Sequence, residues 1–357
     1  MKNLKTSKHF RLSSLLLLAG ALTFTACEKD DNDTFIDDND IAQLFVSSNT
    51  NSELTVFKID DYDDPVEESM AIKNSDADGV HYDMNRDVLY QLDRTNSRIN
   101  IYQDFSENEQ ALMTPNVITP SDFTNGREVA VSSDGRYLVA AQDEDDKMSN
   151  RFFIYFITPF GLELDRIYET SIDLWGIHFM GDHLFAVEDN TGNLVAFHKF
   201  FNHEDGDMVE PTAKLIIEDA RHLRGVDYDG INDILFLTDM RDAEKHNDGR
   251  LIVIHDFLVK AADILRVESE VAFQRQGFLM IQDQVRIFGN RTKLGNPVDV
   301  SFCRQSNKVY VAERNNGGGQ MLEFALPHEN GNEKPTFRAH VPGASSVCVS
   351  VMDVPGF

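Results

Sequence analysis

The sequence has 357 residues, of which 41% are hydrophobic, and its 60 acidic against 33 basic side chains produce a formal net charge of −27. This length supplies enough apolar surface for one large domain or two ordinary ones. The acidic excess argues against nucleic acid as a partner, because a phosphate-binding face needs clustered Lys and Arg, and it argues equally against charge-driven docking onto anionic lipid.

Residues 1–26 predict a signal peptide. Basic residues precede an apolar run, residues 12–26, which is shorter than the ~20 residues that a membrane-spanning helix needs. The run leads into "LTFTAC" (residues 22–27), which resembles the lipobox of bacterial lipoproteins, with Phe24 where Leu or Val is usual. The resemblance implies that Cys27 carries the lipid, palmitate included, and anchors the mature chain in a lipid bilayer.

Residues 27–41 predict an acidic, disordered tether, because they contain too little apolar surface to order themselves. Its first residues, "EKDDND", resemble the export tag that sends lipoproteins of the Bacteroidota to the outer surface of the outer membrane. The alternative is an ordinary secretory signal followed by an acidic linker.

Residues 42–357 repeat one pattern of short alternating strands separated by turn residues. The spacings between the first apolar residues of successive repeats are 49, 48, 49, 74 and 47, counted through Val80, Val129, Ile177, Val226, Val300 and Val347. A period of this size, with several strands in each unit, is typical of a β-propeller blade. The 11 residues from Val347 to the end and the 38 residues from Ala42 to Gly79 make up one more period. The sequence therefore predicts an all-β fold of six blades, closed by pairing of the N- and C-terminal strands.

The long fourth interval predicts an insertion near 257–284, interpreted as helical from the spacing of "FLVKAADILRVESEVAF". A degenerate seventh blade is the alternative. Cys303 and Cys348 lie at strand-like positions and are expected to be small buried thiols, with a disulfide as the alternative in an exported protein.

The repeated strands "G-V/I-x-x-D" and "L-Y/F-x-x-D/E", a loop with Asn or Gly, and the strand "I-x-I/V" resemble those of NHL-type six-bladed propellers. The segment "QVRIFGNRTKLGNPVDVSF" (284–302) is similar to the crossing between blades in NHL-like bacterial lipoproteins. The resemblance implies the architecture, but not an activity, because this scaffold carries enzymes, ligand binders and interaction modules.

One column of the repeat places polar residues, mostly acidic, at the end of each second strand: Asp93, Gln142, Glu188, Asp239, Glu313 and Ser48. Such side chains accept hydrogen bonds from the backbone of the following loop, which explains the column without any function. The alternative is a site for Ca²⁺ or another divalent cation.

A second column opens each innermost strand at the expected mouth of the central channel, with Asp78, Arg127, Trp175, Arg224, Val298 and Ser345. A guanidinium forks onto a carboxylate or phosphate, and an indole face stacks on a sugar or a cation. We therefore predict ligand binding by Arg127, Trp175 and Arg224. The alternative is that both arginines only pair with Glu128, Glu188 or Asp239. Because they are expected at the surface, their replacement by Ala should change stability by no more than about 1 kcal/mol.

These sequence patterns are consistent with two alternative functions. The first is a surface-exposed, lipid-anchored binding module for a glycan, a peptide or a surface protein. The second is a metal-dependent hydrolase, since the repeats also resemble the six-bladed lactonase and gluconolactonase group, which implies Glu128, Glu188, Asp239 and Glu313 as metal ligands. Common hydrolase and metal motifs such as H-E-x-x-H, C-x-x-C and G-x-S-x-G are not found in the sequence, so no catalytic residue is assigned and the binding module is favoured.

Overall fold

The computed structural model describes residues 41–59, 65–72, 76–107, 112–144, 150–262 and 275–352. The predicted signal peptide, Cys27 and all of the predicted tether except Ile41 lie outside these residues. No helix in the described ranges is long and apolar enough to cross a membrane.

The regular secondary structure of the described chain is almost entirely β-strand. The strands of its first half are β1 (Ile41–Ser48), β2 (Glu53–Lys58), β3 (Val66–Ile72), β4 (Ala77–Asp83), β5 (Val88–Asp93), β6 (Arg98–Gln103), β7 (Leu112–Met113), β8 (Val117–Ile118), β9 (Gly126–Val131), β10 (Tyr137–Gln142), β11 (Arg151–Thr158), β12 (Gly161–Glu169) and β13 (Leu174–Met180). Those of its second half are β14 (His183–Glu188), β15 (Asn193–Phe197), β16 (Ala213–Ile217), β17 (Leu223–Asp229), β18 (Ile234–Asp239), β19 (Arg250–His255), β20 (Arg275–Leu279), β21 (Val285–Phe288), β22 (Pro297–Cys303), β23 (Lys308–Glu313), β24 (Gln320–Ala325), β25 (Phe337–His340) and β26 (Ala344–Met352).

The helical elements are short. Those described are the α-helix α1 (Phe257–Lys260) and the 3-10 turns Phe105–Glu107, Phe200–Asn202, Ile281–Asp283 and Asn316–Gly318.

The strands form six sheets, which are the six blades of a propeller. From the axis outward, blade 1 is β26-β1-β2-β3-β7, blade 2 is β4-β5-β6-β8, blade 3 is β9-β10-β11-β12, blade 4 is β13-β14-β15-β16-β20, blade 5 is β17-β18-β19-β21 and blade 6 is β22-β23-β24-β25. Six apolar cores lie one between each pair of neighbouring blades. The predicted all-β, six-bladed propeller is confirmed.

Blade 1 joins the two ends of the domain. Its innermost strand, β26, pairs antiparallel with β1 from Ile41 opposite Met352, through Phe45 opposite Cys348, to a bulge at Ser48. This is the predicted pairing of N- and C-terminal strands, and it removes the open sheet edges that an unclosed ring would expose.

In its described part, the insertion near 257–284 is less helical than expected. It begins with the four-residue helix α1, and residues 263–274 lie outside the described ranges. Instead of extending a helix, Arg275–Leu279 forms β20, which adds to the outer edge of blade 4 parallel to β16. The additional length therefore widens an existing blade, and the described chain forms no seventh one.

A buried tyrosine and an aspartate explain part of the repeated sequence. The Asp87 carboxylate accepts a hydrogen bond of 2.7 Å from the Tyr82 hydroxyl and one of 2.9 Å from the backbone N–H of Ser106. In blade 5, Asp233 accepts the corresponding bond of 2.9 Å from Tyr228. Both aspartates have positive φ angles, 53° and 55°, which Asp tolerates better than most residues. Each thus ties the turn between the first two strands to the chain that leaves the third.

Glycine allows the innermost strands to approach one another near the axis. A Cβ added at Gly176 would lie 2.4 Å from the carbonyl oxygen of Arg224, and one added at Gly225 would lie 2.6 Å from Cα of Asp299. Both contacts are with backbone, which cannot move aside without displacing a strand. The Gly of the "G-V" repeat is therefore required by packing.

We expect Gly225→Ala to lower the free energy of unfolding by about 1–3 kcal/mol, because the added methyl overpacks two strands. The measurement is chemical denaturation of the propeller domain. Gly230→Ala is the matched control, since its added Cβ would meet nothing closer than Cε1 of Tyr228 at 3.4 Å. Equal stability of the two variants would contradict the packing requirement.

Candidate functional site

The polar residues at the ends of the second strands bind the loops of the blades. Glu313 is fully buried, and its carboxylate accepts hydrogen bonds of 2.8–3.0 Å from the backbone N–H groups of Gly295, Asn296, Asn315 and Asn316. One side chain thereby holds two loops of blade 6 together. This is the loop-capping role that explains the column without a ligand.

The other two strand-end candidates for a metal have similar local partners. Asp239 accepts hydrogen bonds from the backbone N–H groups of Arg221, His222 and Arg241 at 3.0–3.2 Å. Glu188 forms an ion pair of 3.0 Å with Lys214.

No three His, Cys, Asp or Glu side chains are grouped to hold a metal ion in the described ranges. The predicted metal ligands Glu128, Glu188, Asp239 and Glu313 thus do not converge on one site.

The mouth of the channel does bring together the three predicted ligand-binding residues. The guanidinium carbon of Arg127 lies 4.3 Å from the centre of the Trp175 ring, and that of Arg224 lies 3.7 Å from it. Each residue comes from the start of an innermost strand, β9, β13 or β17, so the closeness of neighbouring blades at the axis produces the stack. Cation–π attraction of this kind is worth about 0.5–2 kcal/mol per pair, depending on desolvation.

The acidic partners of these arginines are not the predicted ones. Arg127 pairs with Asp143 at 3.2 Å, and Arg224 contacts Asp189, whereas the sequence suggested Glu128, Glu188 or Asp239. Asp143 and Asp189 each directly follow the last residue of a second strand. The signal in the sequence was therefore one position beyond the acidic column.

The expectation that both arginines are surface residues is also wrong for Arg224, which is 6% exposed. Burial, reinforced by the charge of Arg127, lowers the pKa of Arg224 to about 9. Replacing Arg224 by Ala would leave the buried Asp189 unpaired, and a broken buried pair costs about 3–5 kcal/mol, well above the small effect expected at a surface.

The mouth still has unused hydrogen-bond donors. The Nε atoms of Arg127 and Arg224 are buried and have no hydrogen-bond partner among the described residues. Burial raises the pKa of the adjacent Asp78 to about 7, although Arg94 and Arg127 both lower it. Unsatisfied buried donors gain most from an anionic partner, so a carboxylate or another oxyanion is the group that these guanidinium groups would favour.

Below the mouth, two carboxylates share a serine inside the channel. Ser346 donates a hydrogen bond of 2.9 Å to Asp299 and lies 3.4 Å from Glu128 Oε2. Glu128 starts on blade 3 and reaches blade 1 across blade 2, where Gly79 leaves room for its carboxylate. Glu128 is therefore part of the channel interior and does not join the strand-end candidates.

Burial and mutual repulsion control the titration of this pair. Burial raises the pKa of Asp299 from its ordinary value of 3.8 to about 7, and burial together with the Asp299 charge raises the pKa of Glu128 well above its usual range. Asp227 also lines the channel and faces His178 at 3.3 Å, and burial raises the pKa of that carboxyl too.

The channel itself encloses a cavity of about 280 Å³ lined by all six innermost strands. Cys348 lines this cavity, whereas Cys303 is buried in the core between blades 6 and 1. Both are free thiols, so the disulfide alternative is not adopted.

No protein-family model and no curated protein matches the chain in sequence. Among solved structures, a chain from the crystal structure of a nidogen/laminin complex is similar, with a TM-score of 0.59 and 12% identity, over 86% of this chain and 98% of that chain. A chain of the hydrazine synthase of Kuenenia stuttgartiensis has a TM-score of 0.49 and 11% identity, over 79% of this chain and 73% of that one. The first of these supports the fold alone, the six-bladed propeller.

The channel carboxylates predict an unusual pH dependence of stability. Because the pKa of Asp299 is raised on folding, the native state binds more protons than the unfolded state between pH values of about 4 and 7, so the free energy of unfolding falls as pH rises through this window. We expect Glu128→Gln, which removes the like charge and keeps the shape, to make that fall shallower by about 1–2 kcal/mol.

The measurement is the denaturation midpoint of variant and wild type between pH 5 and pH 8. Glu163→Gln, at an exposed position on β12, is the control for loss of one carboxylate. A fall with pH that is as steep in Glu128→Gln as in the wild type would contradict the raised pKa of Glu128.

Proposed function

We propose that this protein is a lipid-anchored binding module, exposed at the outer surface of the outer membrane, that holds an anionic group of its ligand at the channel mouth. The ligand would be a glycan, a peptide or a surface protein that bears a carboxylate or a similar oxyanion. The observation that supports this proposal is the stack of Arg127, Trp175 and Arg224, whose arginine Nε donors lack protein partners within the described chain.

The composition of the stack favours an anion over a neutral sugar. Both guanidinium groups lie over the Trp175 ring, within 4.3 Å of its centre, so the ring is engaged by two cations. The arginines instead present N–H groups, and a guanidinium binds a carboxylate through two parallel hydrogen bonds. The indole then orients the guanidinium groups, which are already held in place before a ligand arrives.

The anchor is proposed from the sequence. Cys27 in its lipobox-like segment would carry the lipid, and the acidic residues 28–40 would hold the propeller away from an anionic membrane surface by charge repulsion. The six-bladed propeller, a scaffold that often carries binding sites, is compatible with this role. No grouping of described side chains supports the metal-dependent hydrolase.

Binding at the mouth is testable through Trp175, which is the only tryptophan of the chain. We expect trigalacturonate or tetraglutamate to shift its fluorescence, and Arg127→Lys to weaken that binding by about tenfold. Lys keeps the charge opposite Asp143, so the fold is retained, but it lacks the forked donor. The measurement is a fluorescence titration with neutral trigalactose as reference.

Arg136→Lys is the matched control, because Arg136 is an exposed arginine in the turn that follows β9. If neither anionic probe shifts the emission, or if both variants bind as the wild type does, the proposed mouth site is wrong.

The anchor has a separate test in a bacterium that processes lipoproteins. We expect Cys27→Ser to abolish incorporation of labelled palmitate and to release the protein from the membrane fraction. The control variant Cys303→Ser should still incorporate palmitate and stay in the membrane fraction. Protease treatment of whole cells should remove the wild-type propeller. Palmitate labelling of the Cys27→Ser variant, or full protection from protease, would contradict the anchored, surface-exposed location.

A further inference from the structure

Blade 6 carries a concave basic surface at its outer edge, away from the channel. Two hollows of about 500 and 340 Å³ share Lys293 and Arg338 among their lining residues, so they form one continuous cleft. We call it the basic cleft and define it by its cationic residues and its aromatic one, which are Arg291, Lys293, Lys334, Phe337, Arg338 and His340.

Four cations of this cleft have no ion pair among the described residues. The structure places no carboxylate of the described chain within 4.0 Å of the charged groups of Arg291, Lys293, Lys334 and Arg338. Elsewhere one carboxylate can serve several bases: Asp219 has three arginines within 3.5 Å, which are Arg241, Arg250 and Arg286. In a protein with a net charge of −27, four cations gathered in one cleft without carboxylate partners among the described residues favour an anionic ligand there.

The backbone at Lys293 is strained. Its φ angle is 67°, in the left-handed region that suits glycine, and it lies between the buried residues Thr292 and Leu294. Thr292 holds the turn through a hydrogen bond of 2.7 Å from its hydroxyl to the carbonyl oxygen of Gly289. A non-glycine residue in this conformation costs about 1 kcal/mol or more, a cost that eleven other described non-glycine residues also carry. A long cationic side chain is thus kept where glycine would fit better.

We propose that the basic cleft binds an anionic polysaccharide, with its sulfate or carboxylate groups on the cations and a sugar ring against Phe337. The cleft is open and extended. Arg291 and Lys293 come from one loop, whereas Lys334 precedes β25 and Arg338 belongs to it. That shape suits a linear chain with repeated charges better than a single small anion. A flat membrane surface fits a concave site poorly, because its headgroups lie in one plane. Phe337 is half-buried, since its ring packs edge-on against Phe57 at 6.2 Å between ring centres, and its remaining exposed part adds an apolar surface to the cleft.

The test uses the whole propeller domain with two polyanions, dextran sulfate and polygalacturonate, and with neutral dextran as reference. The two polyanions separate sulfate from carboxylate recognition. We expect binding of at least one polyanion that weakens with added salt, because exposed charges are screened. The double variant Lys334→Gln, Arg338→Gln should lose about tenfold in affinity, which is about 1.4 kcal/mol.

Two further variants make the result specific. The pair Arg136→Gln, Lys245→Gln removes the same charge from exposed positions elsewhere and should bind as the wild type does. Lys293→Gly should weaken binding while keeping or raising the melting temperature, because it relieves the left-handed strain. Neither change should alter the response of Trp175 to small anions, so this cleft and the channel mouth can fail independently.

Several outcomes would overturn the proposal. These are no binding of either polyanion, equal binding of neutral dextran, an equal loss in the control pair, or tighter binding to phosphatidylglycerol vesicles or to oligo-dT than to both polysaccharides.

Discussion

The antiparallel pairing of β26 with β1 is the interaction on which the rest of the molecule depends. Each blade is a small sheet that is apolar on both faces, and a sheet of this kind is stable only when both faces are covered. The ring supplies that cover through six cores between neighbouring blades. Because β26 completes blade 1 from the far end of the chain, the last core forms only when the ring closes. Closure thus converts six marginal sheets into one domain.

Closure also crowds the axis, and this crowding creates the chemistry of the channel. Glycine at 79, 176 and 225 lets the innermost strands approach, while Glu128, Asp299 and Ser346 occupy the same position in the other three blades. The larger side chains can only project into the space that the glycines leave. Two carboxylates therefore meet on one hydroxyl in a buried place, where burial and mutual repulsion favour their protonated forms.

Charge is distributed unevenly over the molecule. Most described arginines near the loops are paired, and those at the channel mouth are stacked on Trp175 as well as paired. The basic cleft on blade 6 differs because its cations face solvent without carboxylate partners in the described chain. Paired and stacked arginines are held in a fixed geometry, which suits recognition of one group, whereas unpaired exposed cations suit a polymer that supplies many weak contacts.

The sequence by itself determined the all-β class, the number of blades and the closing strand, because blade period and strand alternation are local properties of the chain. It also located Arg127, Trp175 and Arg224 together, since equal positions in successive blades lie side by side at the axis. It did not identify Asp143 and Asp189 as partners, and it overestimated the helix in the insertion near 257–284, where β20 adds to a strand about 60 residues earlier in the chain. Only the tertiary structure decided which acids pair with which bases, that Glu128 crosses to blade 1, and that residues from 291 and 338 share one cleft. Those outcomes depend on distances between blades and on the direction of individual side chains, which a repeat pattern along the chain does not contain.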